Sequence, residues 1–164
     1  METIDSITDL ECGAKFYRAD LHIHSYGASH DVKDQLMTPE AIVSTAHSEN
    51  IDVIAITDHN EIANVERALH AAQSLGILVL PGVELSTPQG HLLAYLPTLE
   101  SLHKFYNRLS IADRQSQDSR CQTSMLDCLK VAADFNGFCI LAHVDGPKGL
   151  EVEVPGNSPH KMRL

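Results

Sequence analysis

Short apolar runs that stop at histidine or carboxylate recur along this chain, with amphipathic segments between them. Asp20-Leu-His22-Ile-His24 closes the first run, and Asp58-His59 follows the run 52–57. Glu84 comes just after the run 77–80, His91 opens the next, and His143 ends the run 138–142. Apolar runs of this length are what parallel strands buried on both faces require. Their alternation with helical segments predicts an α/β architecture with right-handed crossovers. An open sheet and an incomplete barrel both satisfy that pattern. In either, the carboxyl ends of the strands form the functional face, so these residues can meet there.

The segments between the runs carry their own punctuation. Thr38-Pro39-Glu40 predicts a helix start, with threonine as cap, proline in the first turn and glutamate at the positive end of the dipole. That helix is expected to reach about Asn50. Asn60 is the expected cap of a second helix carrying Ile62, Val65, Leu69 and Ala72 on one face, with Gly76 ending it. Residues 77–80 read as a buried strand, and Pro81-Gly82 as an irregularity before Val83-Glu84-Leu85. Residues 90–96 read as the hairpin partner of that segment. Residues 99–109 read as a helix. Cys121, Met125, Cys128, Leu129 and Ala132 give another helical stripe, closed by Gly137, before a buried strand at 138–142. Residues 1–16 have no clear period and read as a leader. Residues 145–149 and 155–159 read as loops.

Composition narrows the function classes. A formal net charge of −10 argues against a broad basic surface for nucleic acid. Bound divalent ions would offset several of those charges locally, so a nucleic-acid substrate is disfavoured rather than excluded. Cys12, Cys121, Cys128 and Cys139 form no C-x-x-C pair, which points to reduced, buried thiols of a cytoplasmic protein rather than a thiolate zinc site. The acidic N-terminus has no signal-peptide core, and no apolar run is long enough to span a bilayer.

Neutral imidazole and carboxylate together gather divalent metals. On a strand, His22 and His24 point to the same side, while Leu21 and Ile23 face the core. Asp20 is placed to accept the second ring N–H of a ligand histidine. Taken singly, each residue has an ordinary reading: His91 or His143 as a hydrogen-bonded structural histidine, Asp58 as a helix cap, Glu84 as a polar loop residue. The conjunction is what carries the metal-site reading. His47, His70 and His103 fall on predicted helices and are assigned to solvent.

Asp20-Leu-His-Ile-His-Ser25, Thr57-Asp58-His59-Asn60, Gly82-Val-Glu84-Leu-Ser86, Gly90-His91-Leu-Leu and Ala142-His143 occur in that order. They resemble the motifs of the PHP family, the polymerase and histidinol phosphatase superfamily of metal-dependent phosphoesterases. The resemblance implies a distorted seven-stranded β/α barrel with a trinuclear metal site. It implies that His22 and His24 hold one metal with Glu84, and that Glu84 bridges to a second held by His91 and His143. It further implies that His30 and His59 hold a third. The family closes its site with a late Asp-x-His motif, which does not occur after His143, and Pro159-His160 is no match. The expectation is therefore a PHP-like domain over residues 17–164, truncated at its C-terminal end, forming an incomplete barrel. A barrel that stops early leaves an exposed apolar edge, or pairs with another copy, beside residues 138–143.

The function implied is hydrolysis of a phosphate ester. Two ions about 3.5–4 Å apart activate a water and neutralise charge on phosphorus, with Asp58 and Glu84 as the candidate catalytic carboxylates. Zinc, manganese, iron or cobalt would each suit histidine-rich ligation. Lys148 and Arg18 are candidate phosphate contacts. A non-catalytic metal-binding or regulatory domain is the alternative, and a homo-oligomer is compatible with the bare edge. The region Ser86-Thr-Pro-Gln-Gly-His91 is similar to PHP domains fronting proteins with an ATPase-like module. That makes a nuclease module of a larger ATPase-linked protein a further reading.

Overall fold

A computed structural model describes residues 16–114, 116–154 and 156. The expected leader apart from Phe16, Cys12, most of the loop 155–159 and His160 thus lie outside the described residues. Three strands, β1 (Ala19–Ile23), β2 (Val53–Ile56) and β3 (Leu78–Val79), form a parallel sheet in that order. Helix α1 (Pro39–Ser48) makes the first crossover and α2 (Val65–Ala72) the second. Thr38 caps α1 by accepting the Ala41 N–H at 3.2 Å, and Pro39 occupies the first turn.

The remaining strands depart from the parallel expectation. β4 (Gly82–Thr87) and β5 (Gly90–Tyr95) form the expected hairpin. The last strand among the described residues, β8 (Phe138–Leu141), runs antiparallel to β5, giving a second sheet in the order β4-β5-β8. Helix α3 (Leu99–Asn107), a short hairpin of β6 (Ile111–Ala112) and β7 (Arg120–Cys121), and α4 (Met125–Asp134) connect β5 to β8. A four-residue helix, α5 (Leu150–Glu153), follows the loop 145–149.

Two of the strands read as buried lie at sheet edges instead. Leu78 of β3 is 55% exposed, and Phe138 and Ile140 of β8 are 52% and 43% exposed. Alternate residues of β8 face the core, with Cys139 and Leu141 packed against it, so one face of the strand is covered. The other two departures concern punctuation. Cys121 lies on β7 rather than on the helix, which starts at Ser124, the residue whose side chain accepts the Asp127 N–H. Asn60 caps nothing. It adopts φ +50°, its Nδ2 donates to Ser119 O at 3.1 Å and its Oδ1 accepts the Ser86 N–H at 2.9 Å, so its side chain is committed to tertiary contacts. Helix α2 starts four residues later than expected, although Ile62, Val65 and Ala72 are buried and Leu69 packs against the core.

The sheets meet beside β2. His59 forms an isolated parallel bridge with Glu84, Asn60 N–H donates to Glu84 O at 2.7 Å, and Glu84 N–H donates to Asp58 O at 3.2 Å. The main core packs α1–α4 against the outer faces of both sheets. A second, smaller core of Ala55, Leu93, Tyr95 and Ala142, with Leu21 and Leu80, fills the space between the sheets. The Tyr95 hydroxyl crosses that space to donate to Leu21 O at 2.7 Å. This inner core underlies the strand ends that carry the histidines.

Candidate metal centre

The carboxylate of Glu84 is fully buried and divides its two oxygens between two sets of imidazoles. Oε2 lies 2.9 Å from His22 Nε2 and 2.7 Å from His24 Nε2, which are themselves 3.1 Å apart. Oε1 lies 2.9 Å from His91 Nδ1 and 3.3 Å from His143 Nε2. Strand geometry produces this convergence. His22 on β1 and His24 just beyond it point to one side across Ile23, but the pairing of β1 shifts between Asp20 and Ile23, so Leu21 packs in the inner core and Ile23 in the main one, not together as expected. His91 pairs with Ser86 across the hairpin, so it sits diagonally from Glu84 on the same face of the second sheet. His143 reaches in from beyond β8, with φ +30°, a backbone region that residues bearing Cβ seldom adopt. The neighbouring loop is drawn in where His91 N–H donates to Lys148 O at 2.8 Å. Gly90, at φ +119°, leaves room there: a Cβ would stand 2.9 Å from Lys148 O.

His59 and His30 stand on the other flank. The ring of His59 is 4.5 Å from that of His24 and 5.0 Å from that of His91, centroid to centroid. His30 lies beside His59 at 5.2 Å. His59 Nδ1 is buried with no hydrogen-bond partner, and its nearest carboxylate oxygen, Glu84 Oε2, is 3.5 Å away. A buried imidazole nitrogen left without a proton partner costs free energy unless a cation takes its lone pair. Burial also drives the His59 pKa down to about 4, against the pull of Glu84, so the ring is neutral and available as a ligand at ordinary pH.

The Glu84 charge orders the rest. Burial acts to raise its pKa, but hydrogen bonds from His22, His24 and His91 outweigh this and hold it far below the usual carboxylate range. For His24 burial acts to lower the pKa, yet Glu84 and Asp31 together raise it. Three groups of side chains place one ligand atom each within 4.8 Å of one another: His22, His24 and Glu84; His24, Asp31 and His59; His59, Glu84 and His91. Histidine and carboxylate in such sets suit zinc and other first-row divalent ions.

Asp31 is the participant that sequence reasoning missed. Its carboxylate meets His24 Nδ1 at 3.0 Å and stands 3.7 Å from His59 Nε2. A signal existed, since it adjoins His30 in the same loop. The orienting role expected of Asp20 belongs by geometry to Asp31, because Asp20 accepts only the more distant His22 backbone N–H, at 3.4 Å. Asp58 does not face the histidines with a free carboxylate. It accepts the Ser25 N–H at 2.5 Å and the Ser25 hydroxyl at 2.6 Å, and burial raises its pKa to about 6 in spite of those bonds. Ser25 in turn accepts from Asn64 Nδ2 at 2.9 Å, so Asp58 anchors the loop that carries His30 and Asp31.

A cavity of about 290 Å³ opens beside the cluster, lined among others by His30, His59, His91, Arg120 and Lys148. Lys148 stands on this wall with its Nζ 3.5 Å from Glu153 Oε1, and Glu153 lines the same cavity. Arg18 does not stand there: its guanidinium donates to Glu49 O at 2.5 Å, at the end of α1 away from the cluster. Arg120 is the second cation on the wall, held there by donating from Nη1 to Ser119 O at 2.7 Å, and no pattern in the sequence singled it out. His47, His70 and His103 are exposed, as expected. Among the described residues, no helix is long and apolar enough to cross a membrane.

An α/β chain that turns a ring of imidazoles onto one buried glutamate has the framework of a metal-binding domain. The family model of the PHP domain matches residues 20–156, and the chain belongs to that family. A 5'-3' exoribonuclease of Haemophilus influenzae is 37% identical over 68 residues, which are 42% of this chain and 23% of that protein. An error-prone DNA polymerase of Symbiobacterium thermophilum is 28% identical over 114 residues, 70% of this chain and 10% of the polymerase. An uncharacterized protein of Methanocaldococcus jannaschii is 33% identical over 82 residues, 46% of this chain and 48% of its own length. The chain thus spans less than half of each of these relatives. Among solved structures, an amidohydrolase of Chromobacterium violaceum aligns at 28% identity and a TM-score of 0.43, over 55% of this chain and 32% of that one.

Proposed function

We propose that this domain is a metal-dependent phosphoesterase whose centre is built on Glu84. The observation that carries this reading is the division of the Glu84 oxygens, Oε2 toward His22 and His24 and Oε1 toward His91 and His143. A carboxylate so placed serves two ligand sets at once. His59, with its orphaned buried nitrogen, and His30 beside it make a third position. Divalent ions bound in such sites act as Lewis acids toward a phosphoryl group and lower the pKa of water to about 7.

The chain's own contribution is charge and position. Burial keeps His59 neutral, Asp31 orients His24 through Nδ1, and Asp58 with Ser25 fixes the intervening loop. Arg120 and Lys148 put cationic charge on the cavity wall, where phosphate oxygens of a bound ester would lie. A nucleic-acid strand is the ester we favour. Its support is the name exoribonuclease borne by a relative, and these two cations in a chain of net charge −10. Linkage to an ATPase-like module is a proposal that rests on the similarity of residues 86–91 alone. We also read the two sheets as parts of one distorted barrel. The inner core of Leu21, Ala55, Leu80, Leu93, Tyr95 and Ala142 between them supports that reading.

Manganese- or zinc-loaded protein should hydrolyse a chromogenic phosphodiester or a 5'-phosphorylated oligonucleotide, and chelation should abolish turnover. Metal-replete protein inactive on diesters, monoesters and oligonucleotides alike would leave a non-catalytic metal-binding domain as the reading.

A further inference from the structure

We propose that Cys121 and Cys128 form a reversible dithiol–disulfide pair that clasps the β6–β7 hairpin to helix α4 beside the cavity. This goes beyond the proposed hydrolysis and does not depend on it. The two sulfurs lie 3.9 Å apart, both buried, one on a strand and one on a helix. Both also turn toward Thr123 O, at 3.7 and 3.8 Å. Ordinary core thiols are the common outcome for buried cysteine, and most are inert. What distinguishes this pair is the mutual contact together with access. A disulfide needs about 2.05 Å between sulfurs, so closure asks for a movement of roughly 2 Å. The partner that would move is a two-residue strand. Cys121 lines a hollow of about 490 Å³ with Ser86, Thr87, Pro88, Arg120 and Gln122, which gives a small reagent its approach.

The chemistry assigns the order of events. Cys121 lines the hollow and Cys128 does not, so Cys121 is the sulfur that an oxidant meets first and the attacking one. With a small organic disulfide such as oxidised glutathione as oxidant, the Cys121 sulfur attacks one of its sulfurs. The S–S bond breaks and one thiol leaves. The departing thiolate takes the Cys128 proton, the Cys128 sulfur attacks Cys121 Sγ, and the second thiolate is displaced and protonated by solvent. Two protein thiols lose two electrons, and one disulfide becomes two thiols. The consequence falls on the cavity. Arg120 is the neighbour of Cys121, and Ser119 O holds Asn60, which sits between His59 and the second sheet through the Ser86 N–H.

The test equilibrates the full chain in buffers of varied reduced-to-oxidised glutathione ratio, followed by acid quench, alkylation in denaturant and peptide mass mapping. The expected result is the loss of two hydrogen masses and a peptide joining Cys121 to Cys128. Cys139 should stay alkylated, and dithiothreitol should restore the thiols. Amide exchange over residues 110–122 should slow several-fold in the oxidised protein. Cys139→Ser should keep the cross-link and Cys128→Ala should lose it; the wild-type map stands even if a variant fails to fold. Cys121 and Cys128 alkylated at every ratio, or a stable glutathione adduct in place of the cross-link, would overturn the pair. A cross-link that leaves hairpin exchange unchanged would overturn the clasp. None of these readouts uses hydrolysis, so failure here is separate from failure of the phosphoesterase reading.

Discussion

Nε2 of His24 lies 2.7 Å from Oε2 of Glu84, although the two residues come from different sheets. The contact spans the seam where His59 bridges to Glu84, and it places the only fully buried carboxylate charge of the cluster against four imidazoles. Glu84→Gln keeps the shape but removes the charge, and an amide nitrogen would replace one ligand oxygen. The variant should lose most bound metal, far more than His47→Ala, an exposed control. Equal metal content in the two, measured by elemental analysis, would count against Glu84 as a shared ligand.

Asp31→Asn tests the orienting contact. An outer carboxylate on a ligand histidine sets its tautomer and basicity, and its loss typically costs about 10–100-fold in metal affinity. Competition with a chromogenic chelator should show a loss of that size, together with a fall of the His24 pKa in the metal-free protein by NMR titration. Unchanged affinity would return Asp31 to the status of a surface aspartate.

Asp58 gives the metal-free protein a pH signature. Its folded pKa of about 6 lies above the ordinary aspartate value of 3.8, because burial disfavours the charged form more than Ser25 favours it. The folded state therefore holds a proton that the unfolded state has lost between pH 3.8 and about 6. Stability from this group is full below that window and falls as pH rises through it, by roughly 3 kcal/mol at most. Asp58→Asn should flatten this slope in urea denaturation of chelated protein. A slope that persists unchanged in the variant would place its origin elsewhere.

Arg120→Ala should act on substrate binding rather than on the metal. Loss of one charged hydrogen bond to phosphate corresponds to about a tenfold rise in KM. Metal content should stay at the wild-type level. A fall in kcat with KM unchanged would contradict a binding role.

What was legible in the sequence was whatever depends on local period. His22 and His24 point to one side because alternation is built into the backbone, and the Thr38-Pro39 start of α1 follows from capping chemistry alone. The hairpin that sets His91 diagonally from Glu84 was likewise visible. The illegible parts are tertiary. Asn60 has the composition of a cap, but its amide is spent on Ser119 and Ser86, which nothing nearby in sequence announces. The antiparallel direction of β8 depends on the path through the β6–β7 hairpin, whose two-residue strands leave no periodic trace. Arg120 reaches the cavity by that same path, and Asp31 faces His24 only because Ser25 and Asp58 fix its loop.

The central claim is that the Glu84 cluster is a metal centre, and metal content tests it most directly. Protein purified without chelators should carry divalent transition metal by elemental analysis, and changing His22 and His24 together to alanine should remove most of it. Wild-type protein that contains no such metal, and takes up none on dialysis against zinc or manganese, would contradict the account.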